Sequence, residues 1–169
     1  MLVVSDSSTL ILLAKSGLLD HALVYFSGIA IPSEVDAEIA EGLRGGHEDA
    51  LLIRERIRQG KIRVVAATLE STLRLQNEYG LGVGEAASIA AYLRLNADLF
   101  GVDDGKAIRV CRLLGVRFFT ALSLSIHLSK TIPFPKGDAI ACVGELEKHG
   151  RYTKDEILLA LDEIGGVRK

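Results

Sequence analysis

Four positions along the chain carry carboxylates in patterns that predict a common edge of one sheet. They are Asp6, Glu38, Glu85 and the pair Asp103–Asp104. Asp6 and the aspartate pair follow apolar runs typical of buried parallel strands, and ligands collect at the carboxyl ends of such strands. Glu38 and Glu85 lie on predicted helices that follow a strand end or a glycine loop. We therefore expect these acids to lie close together.

Carboxylates gathered in this way repel one another. Two of them about 4 Å apart repel by roughly 4 kcal/mol at an effective dielectric constant near 20. Such a group persists when its members share protons or when a divalent cation neutralises them. Oxygen-only ligands suit Mg²⁺ or Mn²⁺, whereas the histidines and cysteines of this chain have no zinc-site spacing. The pattern therefore favours a hard divalent cation.

Asp6 also has a simpler interpretation as a helix cap. It stands between the apolar run Leu2–Val4 and the hydroxyl residues Ser7, Ser8 and Thr9, which precede an apolar helix. Aspartate is a favoured N-cap residue. Taken alone, Asp6 is explained equally well by capping and by chemistry, and the acids later in the chain favour chemistry.

Length and composition predict one folded α/β domain over residues 1–169. The chain is 49% hydrophobic and 25% charged, which is typical of a globular core. Five apolar strand patterns alternate with helical patterns, so we expect a parallel five-stranded sheet flanked by helices on both faces. We place the core at about residues 1–130 and an appended C-terminal helical hairpin at 137–169.

The totals also exclude some classes of function. A net charge of −2 argues against a protein that binds polyanions in general, because such proteins carry excess positive charge. Aromatic residues make up only 5% of the chain, which is too few for a base-stacking platform. Neither a signal-peptide pattern nor an apolar run of membrane-spanning length is found, so we expect a cytoplasmic protein without membrane contact. Any nucleic-acid contact must therefore use a local basic patch.

Lys106 and Arg109 follow the aspartate pair at a spacing of three, so they share one side of a predicted helix. Phosphate contact beside the acids is the functional interpretation of these cations. Simple exposure to solvent is the alternative.

Four segments in order carry a family resemblance: VVSDSSTLILLAKSGLLD, IAIPSEVDAEIAEG, GLGVGEAASIAAY and ADLFGVDDGKAIRVCRLLGV. Together they resemble the PIN-domain nucleases, and most closely a little-characterised prokaryotic branch akin to the toxin ribonucleases of toxin–antitoxin pairs. The likeness runs from Met1 to about Leu128, and the helical tail resembles the same branch. It implies a PIN-like sheet flanked by helices and metal-dependent hydrolysis of RNA phosphodiester bonds.

The resemblance also implies roles for individual residues. The acids of the catalytic set would be Asp6, Glu38, Glu85 and Asp104, with Asp103 as a neighbour that replaces or assists Asp104. Mg²⁺ or Mn²⁺ would be held by Asp6, Glu85, Asp103 and Asp104. Ser7 or Ser8 falls where the family often has a hydroxyl near the first acid, so we expect these serines to contact substrate together with Lys106 and Arg109, whose predicted position is beside the acids. Many members have Thr two residues before the fourth acid, and this chain has Val102 there.

Two functions from different classes follow. The first is a metal-dependent endoribonuclease that serves as the toxin of a toxin–antitoxin pair, with RNA as substrate and an antitoxin protein as partner. The second is a catalytically weak PIN-like binding or scaffold module whose acids keep a structural metal ion. In either case the resemblance implies a homodimer.

Overall fold

A five-stranded, entirely parallel sheet forms the centre of the computed structural model, which describes residues 1–166. Its order is β3-β2-β1-β4-β5, so β1 lies in the middle and pairs with both β2 and β4. The strands are β1 (Val3–Ser5), β2 (Ile29–Pro32), β3 (Ile62–Val65), β4 (Leu99–Gly101) and β5 (Phe118–Phe119). The predicted fold class is confirmed.

Ten helices in the described residues connect and cover these strands. They are α1 (Ser7–Lys15), α2 (Leu19–Phe26), α3 (Ser33–Arg44), α4 (Glu48–Arg58), α5 (Leu69–Tyr79), α6 (Val83–Leu95), α7 (Gly105–Leu114), α8 (Ala121–Thr131), α9 (Lys136–His149) and α10 (Lys154–Gly165). No single helix among residues 1–166 is long and apolar enough to cross a bilayer; α1 and α2 meet that requirement only as a pair bent by 118°.

Side chains of successive strand residues point to opposite faces of the sheet, which divides the hydrophobic core in two. Val3 and Ile31 belong to a core with α1–α4 and α8–α10, whereas Val4, Ala30 and Phe100 belong to a core with α5–α7. All five side chains are at most 1% exposed. Strands buried on both faces explain the continuous apolar runs in the sequence.

Helix α6 packs directly on the centre of the sheet. Its alanines at 86, 87, 90 and 91 are buried, and it contacts β1, β2 and β4. Small side chains allow a helix to approach a sheet closely. The first turn of α6, which carries Glu85, also lies beside α3.

The C-terminal hairpin α9–α10 packs on α8, and α9 also contacts α1. Val143, Leu146, Ile157 and Ile164 are buried in the same core as β1. The loop between the two helices is therefore held against the body of the domain. Residues 167–169 of the predicted hairpin lie outside the described residues.

Candidate active site

Asp6 directly follows β1 and caps α1, so the capping interpretation of this residue is correct. Its Oδ1 accepts hydrogen bonds from the Thr9 backbone N–H at 2.9 Å and from the Ser8 hydroxyl at 3.0 Å. The side chain is also almost completely buried, with 1% exposure. Burial raises the pKa of Asp6 to about 7, against the lowering effect of both donors, and the charge of Asp103 raises it further. A cap alone does not require such burial.

Asp103 is held by donors from three parts of the chain. Its Oδ2 accepts from the Thr9 hydroxyl at 2.8 Å and from the Ala121 backbone N–H at 3.1 Å. Its Oδ1 accepts from the hydroxyl of Tyr152 in the α9–α10 loop. Burial raises the pKa of Asp103, while these hydrogen bonds oppose that shift. Thr9 therefore bridges two acids, with its N–H on Asp6 and its hydroxyl on Asp103.

Asp104 caps α7 and remains partly exposed. Its Oδ1 accepts from the backbone N–H groups of Lys106 at 2.8 Å and Ala107 at 3.0 Å. Two consecutive acids thus have different surroundings: Asp103 is enclosed by side chains and backbone, and Asp104 is bound on one oxygen by a helix terminus.

Glu85 lies in the first turn of α6, which begins at Val83. Its Oε2 accepts from the Gly82 backbone N–H at 2.9 Å, and this bond closes the glycine loop onto the helix. Together with Ser8, Asp103 and Asp104, Glu85 lines a cavity of about 320 Å³. Three of the predicted acids therefore share one open space.

Glu38 is exposed on α3 and does not line that cavity. It accepts a hydrogen bond from the Ser7 hydroxyl, which connects α3 to the start of α1. Its carboxylate also lies against Gly84 at the start of α6, where a Cβ atom would be 2.8 Å from Cδ of Glu38. Glu38 thus approaches the residue next to Glu85.

Lys106 and Arg109 occupy the first two turns of α7. The Lys106 ammonium group donates to the carbonyl oxygen of Gly80, so it ties α7 to the end of α5. Arg109 lines a second cavity, of about 490 Å³, on which Asp103 and Asp104 also border.

A PIN-domain family model (DUF3368) matches residues 2–163. The chain belongs to the PIN-domain family. Among solved structures, the crystal structure of PAE2754 from Pyrobaculum aerophilum is similar, with a TM-score of 0.52 and 17% sequence identity. The match covers 76% of this chain and 98% of that one, and it supports the fold alone. A comparison with curated proteins found no match.

PIN domains are generally nucleases and typically use divalent metals. The donors at this site have the chemistry for such an ion, because every candidate ligand is a carboxylate or hydroxyl oxygen. In the described arrangement of residues 1–166, no three Asp, Glu, His or Cys side chains stand close enough to hold an ion together. The residues of this PIN domain thus fit a hard cation by type, and the ligand assignment of Asp6, Glu85, Asp103 and Asp104 stays a prediction.

Two contacts of this PIN-domain site were not expected from the sequence. Thr9 donates hydrogen bonds to both Asp6 and Asp103. Because it is one of the hydroxyl residues that directly follow Asp6, the local sequence could have indicated its contact with that acid. No local pattern could have indicated Tyr152, because it lies in the α9–α10 loop and contacts Asp103 only in the folded chain.

Proposed function

We propose that this PIN domain is a metal-dependent ribonuclease that hydrolyses RNA phosphodiester bonds. The observation that carries the proposal is the cavity shared by Glu85, Asp103 and Asp104. Ser8, which lines the same cavity, donates to the buried Asp6, so a fourth acid stands directly behind it. This is a concentration of hard oxygen donors in a space open to a ligand.

Glu85, Asp103, Asp104 and Asp6 are the residues that would hold Mg²⁺ or Mn²⁺. When bound, such an ion supplies polarisation of a phosphoryl oxygen and a more acidic water at neutral pH. The carboxylates themselves are held in place before any ligand arrives. Thr9 sets the separation of Asp6 and Asp103, and the backbone N–H of Gly82 orients Glu85. Preorganised groups of this kind lower the cost of reaching the transition state.

We assign the ribonuclease the role of toxin in a toxin–antitoxin pair, with an antitoxin protein and a second copy of the chain as partners. This assignment rests on the family resemblance. The alternative is a binding or scaffold module with a structural ion. It is favoured by one observation: Asp6 and Asp103 already accept several hydrogen bonds within the protein.

The test is a cleavage assay on single-stranded and structured RNA with Mg²⁺ or Mn²⁺, with and without EDTA. Asp104→Asn and Glu85→Gln should reduce the cleavage rate at least a hundredfold, and EDTA should abolish cleavage reversibly. Glu147→Gln is the matched control, because Glu147 is an exposed carboxylate on α9 that lines neither cavity.

Cleavage that continues in EDTA, or that is unchanged in both variants, would contradict the proposal. Binding of Mn²⁺ by the wild-type protein without any cleavage would favour the scaffold alternative instead. Isothermal titration calorimetry with Mn²⁺, combined with the cleavage assay, separates the two functions, because both should bind the ion and only the nuclease should cut RNA.

A further inference from the structure

Two arginines lie beside the aspartate pair, in a cavity that Glu85 does not line. Arg109 on α7 and Arg151 in the α9–α10 loop line the cavity of about 490 Å³. That cavity shares Asp103, Asp104, Arg151 and Tyr152 with the cavity that Glu85 lines. The two spaces are therefore neighbours, and Arg151 lines both of them.

Neither guanidinium group has an ion pair or hydrogen bond within residues 1–166, and both side chains belong to exposed residues. Other arginines of the chain are paired: Arg54 with Asp36, Arg56 with Asp20 and Arg58 with Glu55. Arg63, Arg112 and Arg117 are also exposed and have no ion pair among residues 1–166, so what distinguishes Arg109 and Arg151 is their place beside the cavity that the aspartate pair borders.

The other charged groups around this cavity are already engaged. Glu156 accepts from the backbone N–H and the hydroxyl of Thr153 in a capping box, Asp104 caps α7, and Lys106 donates to Gly80. The two arginines are the cations left to meet a ligand.

We propose that Arg109 and Arg151 form a phosphate-binding subsite that holds the RNA backbone next to the phosphate at the acid-lined cavity. This inference rests on the proposed function. A guanidinium group presents a planar set of donors that matches two phosphate oxygens, and it keeps its charge at any physiological pH. Because the whole chain carries a net charge of −2, RNA needs a local cationic patch to overcome repulsion from the acids.

The fold explains why the subsite lies beside the acids. Arg109 is five residues after Asp104 on the same helix, and Arg151 is adjacent to Tyr152, whose hydroxyl donates to Asp103. Each arginine is therefore attached to an element that also holds one of the two aspartates. An RNA phosphate bound between them would be placed in a constant position relative to the acids.

The experiment measures binding of a short fluorescent single-stranded RNA by anisotropy, in EDTA so that cleavage does not interfere, over about 50 to 200 mM salt. Arg109→Gln and Arg151→Gln should each weaken binding several-fold and lower the slope of log affinity against log salt by roughly 0.7. The double variant should show both losses. Arg117→Gln is the matched control, since Arg117 is exposed, lines neither cavity and precedes β5, whereas Asp6 and the aspartate pair follow β1 and β4.

If Arg109→Gln and Arg151→Gln bind RNA as tightly as Arg117→Gln does, the subsite is overturned. The proposed function stays intact in that case, provided that the wild-type protein binds and cleaves RNA. A second outcome is that both variants lose RNA affinity as expected but the wild-type protein does not cleave RNA with any divalent metal. That outcome would support the subsite and contradict the proposed nuclease activity. Wild-type protein that does not bind RNA would overturn the subsite. Thermal melts of each variant verify that it is folded.

Discussion

The hydroxyl of Tyr152 donates a hydrogen bond to Oδ1 of Asp103, although 49 residues separate them along the chain. Tyr152 also accepts from the Leu122 backbone N–H at 3.3 Å, so its hydroxyl joins the hairpin loop, α8 and the acid. Burial and the neighbouring charge of Asp103 raise the pKa of Tyr152, which keeps the phenol protonated and able to donate. The C-terminal hairpin is thus part of the candidate site.

Tyr152→Phe should lower the free energy of unfolding by about 1–3 kcal/mol, because a partly buried carboxylate loses a donor and the Leu122 N–H loses its acceptor. Cleavage should fall as well, since Asp103 loses one of the groups that orient it. Urea unfolding and the RNA cleavage rate are the two measurements. Tyr25→Phe is the control, because Tyr25 bonds His127 away from the acids. Equal cleavage by the two variants would mean that Tyr152 supports only the fold.

Asp6→Asn should change how stability depends on pH. Burial raises the pKa of Asp6 from an ordinary value of 3.8 to about 7, so the folded chain favours the protonated carboxyl. The unfolded chain loses this proton at lower pH. The free energy of unfolding of the metal-free protein should therefore fall as pH rises from about 4 to about 7, by at most about 4 kcal/mol.

In Asp6→Asn the part of this decrease that Asp6 causes should be absent, while the part caused by the raised pKa of Asp103 remains, so the variant should be the more stable protein at pH 8 in EDTA. Urea unfolding of both proteins across this pH range is the measurement. Parallel curves for the two proteins would show that Asp6 ionises normally. Added Mn²⁺ should reduce the difference between them if Asp6 is an ion ligand.

Gly84→Ala should displace Glu38, because the new Cβ would be 2.8 Å from Cδ and 2.9 Å from Oε2 of that side chain. Alanine also stabilises a helix relative to glycine by about 1 kcal/mol, so the melting temperature should not drop much. Cleavage should nevertheless fall about tenfold or more, since small displacements of catalytic groups are costly.

Gly144→Ala on α9 is the matched control, because a Cβ there meets no atom within 4 Å. It should gain helix stability and retain full cleavage. Full cleavage by Gly84→Ala would place Glu38 outside the catalytic set.

Much of the architecture follows from local pattern. Apolar runs such as Leu2–Val4 predicted strands buried on both faces, and their alternation with helical segments predicted a parallel sheet. The glycine loop before Glu85 predicted the start of a helix that brings this acid close to the others. Strands and helix starts depend on residues that are close together in the sequence, so both could be predicted from the sequence alone.

The sequence by itself determined the sheet, the helices and the types of the acids, and its motifs indicated the family. Only the tertiary structure decided the surroundings of each acid: Asp6 buried behind Ser8, Asp103 bound by Tyr152, Asp104 on a helix terminus and Glu38 against Gly84. The physical reason is that burial and hydrogen bonding come from residues far apart in the chain, and these, rather than residue type, set a carboxylate's charge and its freedom to bind a ligand.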